Sequence, residues 1–361
     1  MKSDFSKYFL GANSAEGFVS HFGDSFDSLN GWRGIIIKGG PGTGKSSFMK
    51  YIVAKAVDAG YDVELCPCSS DPDSLDGIII KEIKTVVLDG TSPHVAEPVY
   101  PGASEEIINL GEFWNSEKLR AAADQIIYVT KQNKKLHKTA SAYISAAGEL
   151  VYDNLKLSQQ FTNLKKAEQF ATKTASRLIP KNKKYAPKEW VRFIGGVTPK
   201  GVIAYSDTVD KFYKNVIVID DKYGGASNEI MTAVRKIALT KGYEIITLKN
   251  PFLPSKIIDH ILIPELSLAF VREYEYMHFE DTHRRIHARR FTDVNLMRSV
   301  RSRMLFNRRT ARELLLGARQ TLSQAKQVHD KMEKYYIDAM DFDAIARYAE
   351  KKADDILMHN A

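Results

Sequence analysis

The sequence predicts an α/β chain of two tandem halves, each a parallel sheet with flanking helices and a long helical arm. Three observations carry this. A β-branched run, a glycine-rich loop and a helical pattern follow one another between Gly34 and Gly60. The same landmarks recur in the second half of the chain. Each half also ends in a long stretch of helical apolar spacing with few Gly or Pro.

The first observation is the most specific. Ile35-Ile36-Ile37 suits a buried parallel strand. Gly39-Gly40-Pro41-Gly42-Thr43-Gly44-Lys45-Ser46-Ser47 follows and has the form G-x-x-x-x-G-K-[ST]. Phe48, Ile52, Val53 and Ala56 then repeat at helical spacing up to the stop signal at Gly60. Glycines permit positive φ and let the backbone come close to a ligand. Successive N–H groups at a helix N-terminus converge on phosphate oxygens, where the dipole already favours negative charge. Gly39 to Ser47 is therefore the expected phosphate cradle of a P-loop NTPase-like domain. Lys45 is the expected catalytic residue, reaching the β- and γ-phosphates, and the Ser46 hydroxyl is an expected ligand of Mg²⁺. Asp89 ends the apolar strand Thr85-Val86-Val87-Leu88 and is expected to hold the same Mg²⁺ opposite Ser46. Gly90 comes next, where an ATPase often carries the acid that activates water. Glu82, Asp71 and His94 are conceivable substitutes for that acid, with His94 read as an ordinary loop histidine.

The second observation is the repeat. Phe9-Leu10-Gly11 and Gly17-Phe18-Val19 recur as Phe193-Ile194-Gly195 and Gly201-Val202-Ile203, at an offset of 184. Ile35-Ile36-Ile37 falls on Ile217-Val218-Ile219 at 182, and Asp76-Gly77-Ile78-Ile79-Ile80 on Asp259-His260-Ile261-Leu262-Ile263 at 183. Ala175 and Leu178-Ile179 answer to Ala353 and Ile356-Leu357 at 178. Matches in one order with so little drift indicate a duplication. The expected domains are residues 1–184 and 185–361, joined near Pro180-Lys181-Asn182-Lys183-Lys184. In the second copy Asp221 replaces the first glycine, Ser227 the lysine, Asn228 the serine, and Arg272 the metal carboxylate Asp89. Each change opposes a Mg-nucleotide, so the second copy is read as degenerate and the first as the one nucleotide site.

Within each half a small hairpin is expected first, from Tyr8–Leu10 and Gly17–Phe22. After the helix come a strand at Asp62–Cys66, an acidic segment with Asp71, Asp73 and Asp76, and the Asp89 strand. The arms are expected at about 116–179 and 281–358. An antiparallel pair of ~30-residue helices in each would project about 45 Å. The arms are expected to pack on their own domains or to form an oligomer through their apolar stripes.

Composition excludes several classes. No apolar run reaches the ~18 residues needed to cross a membrane. The N-terminal residues show no secretion signal, and Cys66 and Cys68 alone give no disulfide framework, so a cytoplasmic protein is expected. The two cysteines read as small buried hydrophobes. The net charge of +8 is matched by the segment from Asp281 to Gln320, which carries eleven Arg against three acids.

The segments KYFLGANSAEGFVSHF, GIIIKGGPGTGKSSFMK, CPCSSDPDSLDG and VVLDGTSPHVAEPVYPG resemble those of a poorly characterised bacterial family of P-loop ATP-binding proteins with two tandem P-loop halves. The resemblance covers essentially the full length. It implies a cytoplasmic ATP-binding protein using Gly39 to Ser47 and, more loosely, Asp89 to His94. Members often keep a recognisable second P-loop, and this sequence departs there. The leading functional expectation is an ATPase or ATP-driven switch, in which an arginine from the second half, Arg272 or one of Arg284, Arg285, Arg289 and Arg290, could serve the transferring phosphate. A second expectation is a kinase acting on a small molecule or nucleotide. A third is an ATP-gated protein binding nucleic acid through the Arg-rich segment 284–309.

Overall fold

A computed structural model describes residues 5–182 and 187–358. Lys183 and Lys184 of the expected linker lie outside the described residues. In the first half the chain forms β1 (Ser6–Lys7), the hairpin β2 (Gly11–Ser14) and β3 (Gly17–Ser20), β4 (Arg33–Lys38) and α1 (Lys45–Asp58). Then follow β5 (Val63–Pro67), β6 (Leu75–Ile80), β7 (Thr85–Asp89), β8 (Glu105–Asn109), α2 (Ser116–Ala121), α3 (Ala123–Phe161) and α4 (Leu164–Leu178). The second half gives β9 (Glu189–Arg192), the hairpin β10 (Gly195–Thr198) and β11 (Gly201–Ala204), α5 (Asp207–Phe212), β12 (Asn215–Asp220) and α6 (Gly225–Thr240). It continues with β13 (Ile245–Lys249), β14 (Ile258–Ile263), β15 (Leu268–Glu273), β16 (Arg284–His287), α7 (Val294–Ile337) and α8 (Phe342–Met358).

Each half builds one six-stranded sheet, in the orders β1-β5-β6-β7-β4-β8 and β9-β13-β14-β15-β12-β16. The duplication is thus reproduced strand for strand. The expected all-parallel sheet is corrected to a mixed one. β6 runs antiparallel to β5 and β7, and β14 does the same between β13 and β15. The connections explain this. Residues 68–74 and 81–84 join β5 to β6 and β6 to β7, and a parallel crossover needs roughly a dozen residues or more. β4 still lies between two parallel neighbours, β7 and β8, as β12 does between β15 and β16.

By its contacts the chain divides into two compact units that do not follow the sequence halves. One comprises residues 1–11, 20–140 and 320–361, the other residues 12–19 and 141–319. In the first unit, one face of the sheet buries Ile35, Ile37, Ile78 and Ile80 against Phe48, Met49 and Ile52 of α1. The same core takes in Ile345, Ala349, Ala353 and Ile356, the inner stripe of α8. The opposite face packs Leu10, Phe22, Cys66, Ile79, Val86 and Leu88, so Cys66 is the buried hydrophobe expected of it. In the second unit Ala167, Ala171, Ala175 and Ile179 of the first arm close the core over Ile230, Met231 and Val234 of α6.

The terminal helix of each arm therefore packs beside the other half's sheet, which corrects the expectation that each arm packs on its own domain. The reason is length. α3 has 39 residues and α7 has 44, about 58 and 66 Å of helix at 1.5 Å per residue. That carries α4 and α8 far from the sheets that precede them. Alanines spaced four apart on α4 then let it approach α6 closely. The antiparallel pairing expected within each arm forms between the arms instead. In the first unit Thr130 Oγ1 donates to Met332 Sδ at 3.1 Å and Asn133 Nδ2 to the Ala325 carbonyl at 2.8 Å. In the second unit Asn154 Nδ2 donates to the Met304 carbonyl at 3.1 Å, and Arg303 pairs with Asp153 at 2.7 Å. Among the described residues no helix is long and apolar enough to cross a membrane.

Candidate functional site

The glycine-rich loop leaves the sheet at the carboxyl end of β4, an edge where parallel α/β sheets gather ligands. The register sets Ile37 beside Asp89, so the end of β7 arrives next to the loop. α1 begins at Lys45 with no side-chain cap, and Gly42 and Gly44 adopt φ of +69° and +87°. Only glycine holds such angles without strain. Thr43 Oγ1 donates to the Gly40 carbonyl at 2.8 Å and steadies the bend.

Lys45 folds back on the loop. Its ammonium donates to the Gly40 carbonyl at 2.8 Å and stands 3.6 Å from Asp89 Oδ2. Asp89 Oδ1 is held by the Thr91 N–H at 2.9 Å, leaving Oδ2 turned toward the lysine. Ser46 Oγ accepts the Leu75 N–H at 3.0 Å, which ties the start of α1 to β6. Ser47 is exposed and faces away from the core. Lys45 and Asp89 thus meet at the loop, while the Ser46 hydroxyl engages the Leu75 amide.

His94 is not the ordinary loop histidine expected. It is 6% exposed, stacked on Phe22 with ring centroids 4.6 Å apart, and its Nε2 lies 3.5 Å from Asp76 Oδ1. Burial pulls its pKa down, but the hydrogen bond and charge of Asp76, with the charge of Asp89, raise it overall. Burial and the neighbouring Asp76 likewise push the Cys68 thiol well up, so it is no thiolate. Donor atoms of Asp76, Asp89 and His94 lie within 4.8 Å of one another. Two carboxylates and an imidazole so placed, on buried side chains, fit a divalent cation. Asp76 is legible in the sequence only as part of the repeat, because a short acidic stretch does not announce the strand β6. Glu82 and Asp71 stand apart from this group. Glu82 lies in the turn before β7, at the strand end opposite Asp89, and accepts the Asp62 N–H. Asp71 pairs with Lys326 at 3.3 Å.

The second copy closes its loop on itself. Asp221 is 7% exposed. Its Oδ1 accepts the N–H groups of Tyr223 and Gly224, at 3.2 and 3.0 Å. Its Oδ2 accepts those of Ala226 and Ser227, at 2.9 and 2.8 Å. A carboxylate of the chain thus takes the donors that open α6. Arg272, at the position of Asp89, donates to the Asp221 carbonyl at 2.8 Å, the Lys222 carbonyl at 3.0 Å and Asp259 Oδ1 at 2.9 Å. Asp259 is the counterpart of Asp76. The tie between helix and β6 survives, for Asn228 Oδ1 accepts the Ile258 N–H as Ser46 does that of Leu75. A small cleft beside this loop is lined by Tyr223, Arg272, Tyr274, Glu275, Tyr276 and Arg308.

His260 Nδ1 accepts the Arg272 N–H at 3.1 Å, and burial pushes its pKa from 6.5 down to about 4. The unfolded chain therefore binds a proton at His260 that the folded chain refuses. The stability this protects is complete above about pH 6.5 and declines as pH falls toward 4, by roughly 3 kcal/mol across that window. Urea midpoints between pH 7 and pH 4.5 should show this slope, and His260→Gln should flatten it. An unchanged slope in that variant removes His260 as the cause.

The arginines of segment 284–309 are partly spoken for. Arg285 pairs with Glu273 and Asp281, and Arg303 with Asp153, while Arg290 lies 4.6 Å over the Phe170 ring. Arg284 and Arg289 are exposed. Compared with protein-family models, curated proteins and solved structures, the chain matches none.

Proposed function

We propose that the chain is a Mg²⁺-dependent ATP-binding protein, an ATPase or ATP-driven switch with a single nucleotide site in its first half. One observation carries the reading. The glycine-rich loop opens α1 at the carboxyl edge of β4, with Lys45 folded onto it beside Asp89 and Ser46 in the first turn of the helix. In this reading the backbone N–H groups of Gly42 to Ser47 bind the phosphates, and Lys45 turns from the Gly40 carbonyl to the β- and γ-oxygens. Ser46 and Asp89, with Asp76 and His94 beside them, hold Mg²⁺, which would supply charge neutralisation at the transferring phosphate. ATP is preferred to GTP on the family resemblance and on the lack of an N-K-x-D segment for guanine. The second loop takes no triphosphate in this reading, because the Asp221 carboxylate already uses its donors.

The test is a nucleotide panel read by thermal shift with Mg²⁺. A ligand at 100 times its Kd should stabilise by about 2.7 kcal/mol. Calorimetry should give one ATP per chain. No shift with any triphosphate, in the wild type and in a Glu333→Gln chain alike, overturns the reading, and two equivalents per chain overturn the single site.

A further inference from the structure

We propose that the last turn of α7 is a displaceable strap over the nucleotide loop, with the Glu333 carboxylate occupying an N–H donor that a phosphate would otherwise take. The proposal rests on the nucleotide reading above and names how that site is regulated.

The contact is close and involves three glycines of one loop. A Cβ placed on Gly40 would meet the Tyr336 ring at 2.5 Å, and one on Gly42 the Glu333 carbonyl oxygen at 2.9 Å and Ile337 Cγ1 at 3.1 Å. At Gly44 it would meet the Phe342 ring at 3.5 Å. His329 holds the Glu333 carboxylate from the preceding turn at 3.4 Å and, with a smaller contribution from the Gly42 N–H that faces it, keeps its pKa below the usual carboxylate range. A carboxylate of the chain thus sits on an amide that belongs to the phosphate cradle.

The same chain contains a permanent version of this arrangement. In the second half the resident carboxylate is Asp221, built into the loop and bonded to four N–H groups. There too the end of a long helix covers the loop. A Cβ on Gly225 would meet Ser158 Oγ at 2.6 Å, and one on Gly224 the Leu155 side chain at 3.4 Å. Both loops are therefore covered by the arm of the opposite half, and each has a carboxylate of the chain at its amides: four N–H groups on Asp221 and the Gly42 N–H facing Glu333. Only in the first copy does that carboxylate come from a separate helix, where it can leave.

The flanking contacts define what is able to move. α8 is anchored by its buried stripe on α1. The corner between α7 and α8 is pinned to the segment after β8: the Asn115 N–H donates to the Ala339 carbonyl at 2.8 Å, the Asp341 N–H to the Phe113 carbonyl at 2.9 Å, and Lys118 Nζ to the Asp338 carbonyl at 3.1 Å. The piece left to yield is the final turn of α7, with Glu333, the half-exposed Ile337 and Tyr336, whose ring would also leave that of Trp114 at 6.0 Å. A triphosphate and the carboxylate carry like charge and compete for the same donor, so the ligand has a differential affinity for strapped and released states. The apparent Kd is the intrinsic one divided by the fraction of chains released.

The experiment measures Mg-ATP affinity on the full chain for wild type, Glu333→Gln and Tyr336→Ala, with hydrogen exchange of residues 329–340 followed with and without nucleotide. Both variants should bind ATP more tightly, Glu333→Gln by about tenfold, the equivalent of one charge-assisted hydrogen bond lost from the strapped state. In the wild type, ATP should speed exchange in the last turn of α7. ATP binding by the variants alone would also support the strap. If wild type binds ATP and both variants bind it no better, with exchange at 329–340 unmoved, the strap is wrong and the nucleotide site stands. If neither wild type nor variants bind any triphosphate, both readings fall together.

Discussion

Lys45→Ala is expected to abolish the thermal shift produced by Mg-ATP and to weaken its binding by about two orders of magnitude or more. The ammonium lies on the loop, bonded to the Gly40 carbonyl, and charged hydrogen bonds contribute about 1.5–3 kcal/mol each. Lys45 would make more than one to the β- and γ-oxygens. The variant should still fold. Lys45 bonds loop carbonyls and stands 3.6 Å from Asp89, and Asp89 keeps its bonds from Thr91 when the ammonium is gone. Circular dichroism and the melting temperature without nucleotide therefore serve as controls. Calorimetry showing ATP affinity within threefold of wild type, on a folded variant, would remove the phosphate role of Lys45 and with it the proposed site.

Arg272→Met is the second large effect, this time on stability. Arg272 is 4% exposed and its guanidinium bonds Asp259 and the carbonyls of Asp221 and Lys222. Asp259 is 1% exposed and keeps the neutral donor Asn250 once the arginine that pairs with it is gone. Removing one partner of such a buried pair costs about 3–5 kcal/mol, because the other charge is left uncompensated. The second unit should lose that much unfolding free energy, read as a lower urea midpoint. Asp259→Asn in the same chain should recover part of the loss, since a neutral amide no longer needs a counter-charge. A loss under about 1 kcal/mol would show that water or a rearranged side chain replaces the guanidinium.

How the two copies diverged was readable only in part from residues. The exchange of Gly39 for Asp221 and of Asp89 for Arg272 is visible in the sequence, and it predicts repulsion of a phosphate. What the residues did not disclose is that the two replacements form one network, with the Asp221 carboxylate on the helix N-terminus and Arg272 bracing its backbone. Residue type states the charge of a side chain, whereas the donors it reaches depend on loop geometry. His94 is a similar case. A histidine after Ser-Pro reads as loop, and nothing in its neighbours announces Phe22 against its ring or Asp76 at its nitrogen.

Local signals alone determined the strand, glycine loop and helix around Lys45, the duplication, and the helical character of the arms, because each depends on spacing within a few residues or on comparison of the chain with itself. The tertiary structure decided the antiparallel placement of β6 and β14, the exchange of α4 and α8 between halves, and the laying of Glu333 and Tyr336 on a loop almost three hundred positions earlier. These depend on which surfaces meet after long helices have carried the chain away. An apolar stripe specifies that a helix face must be covered and leaves open what covers it.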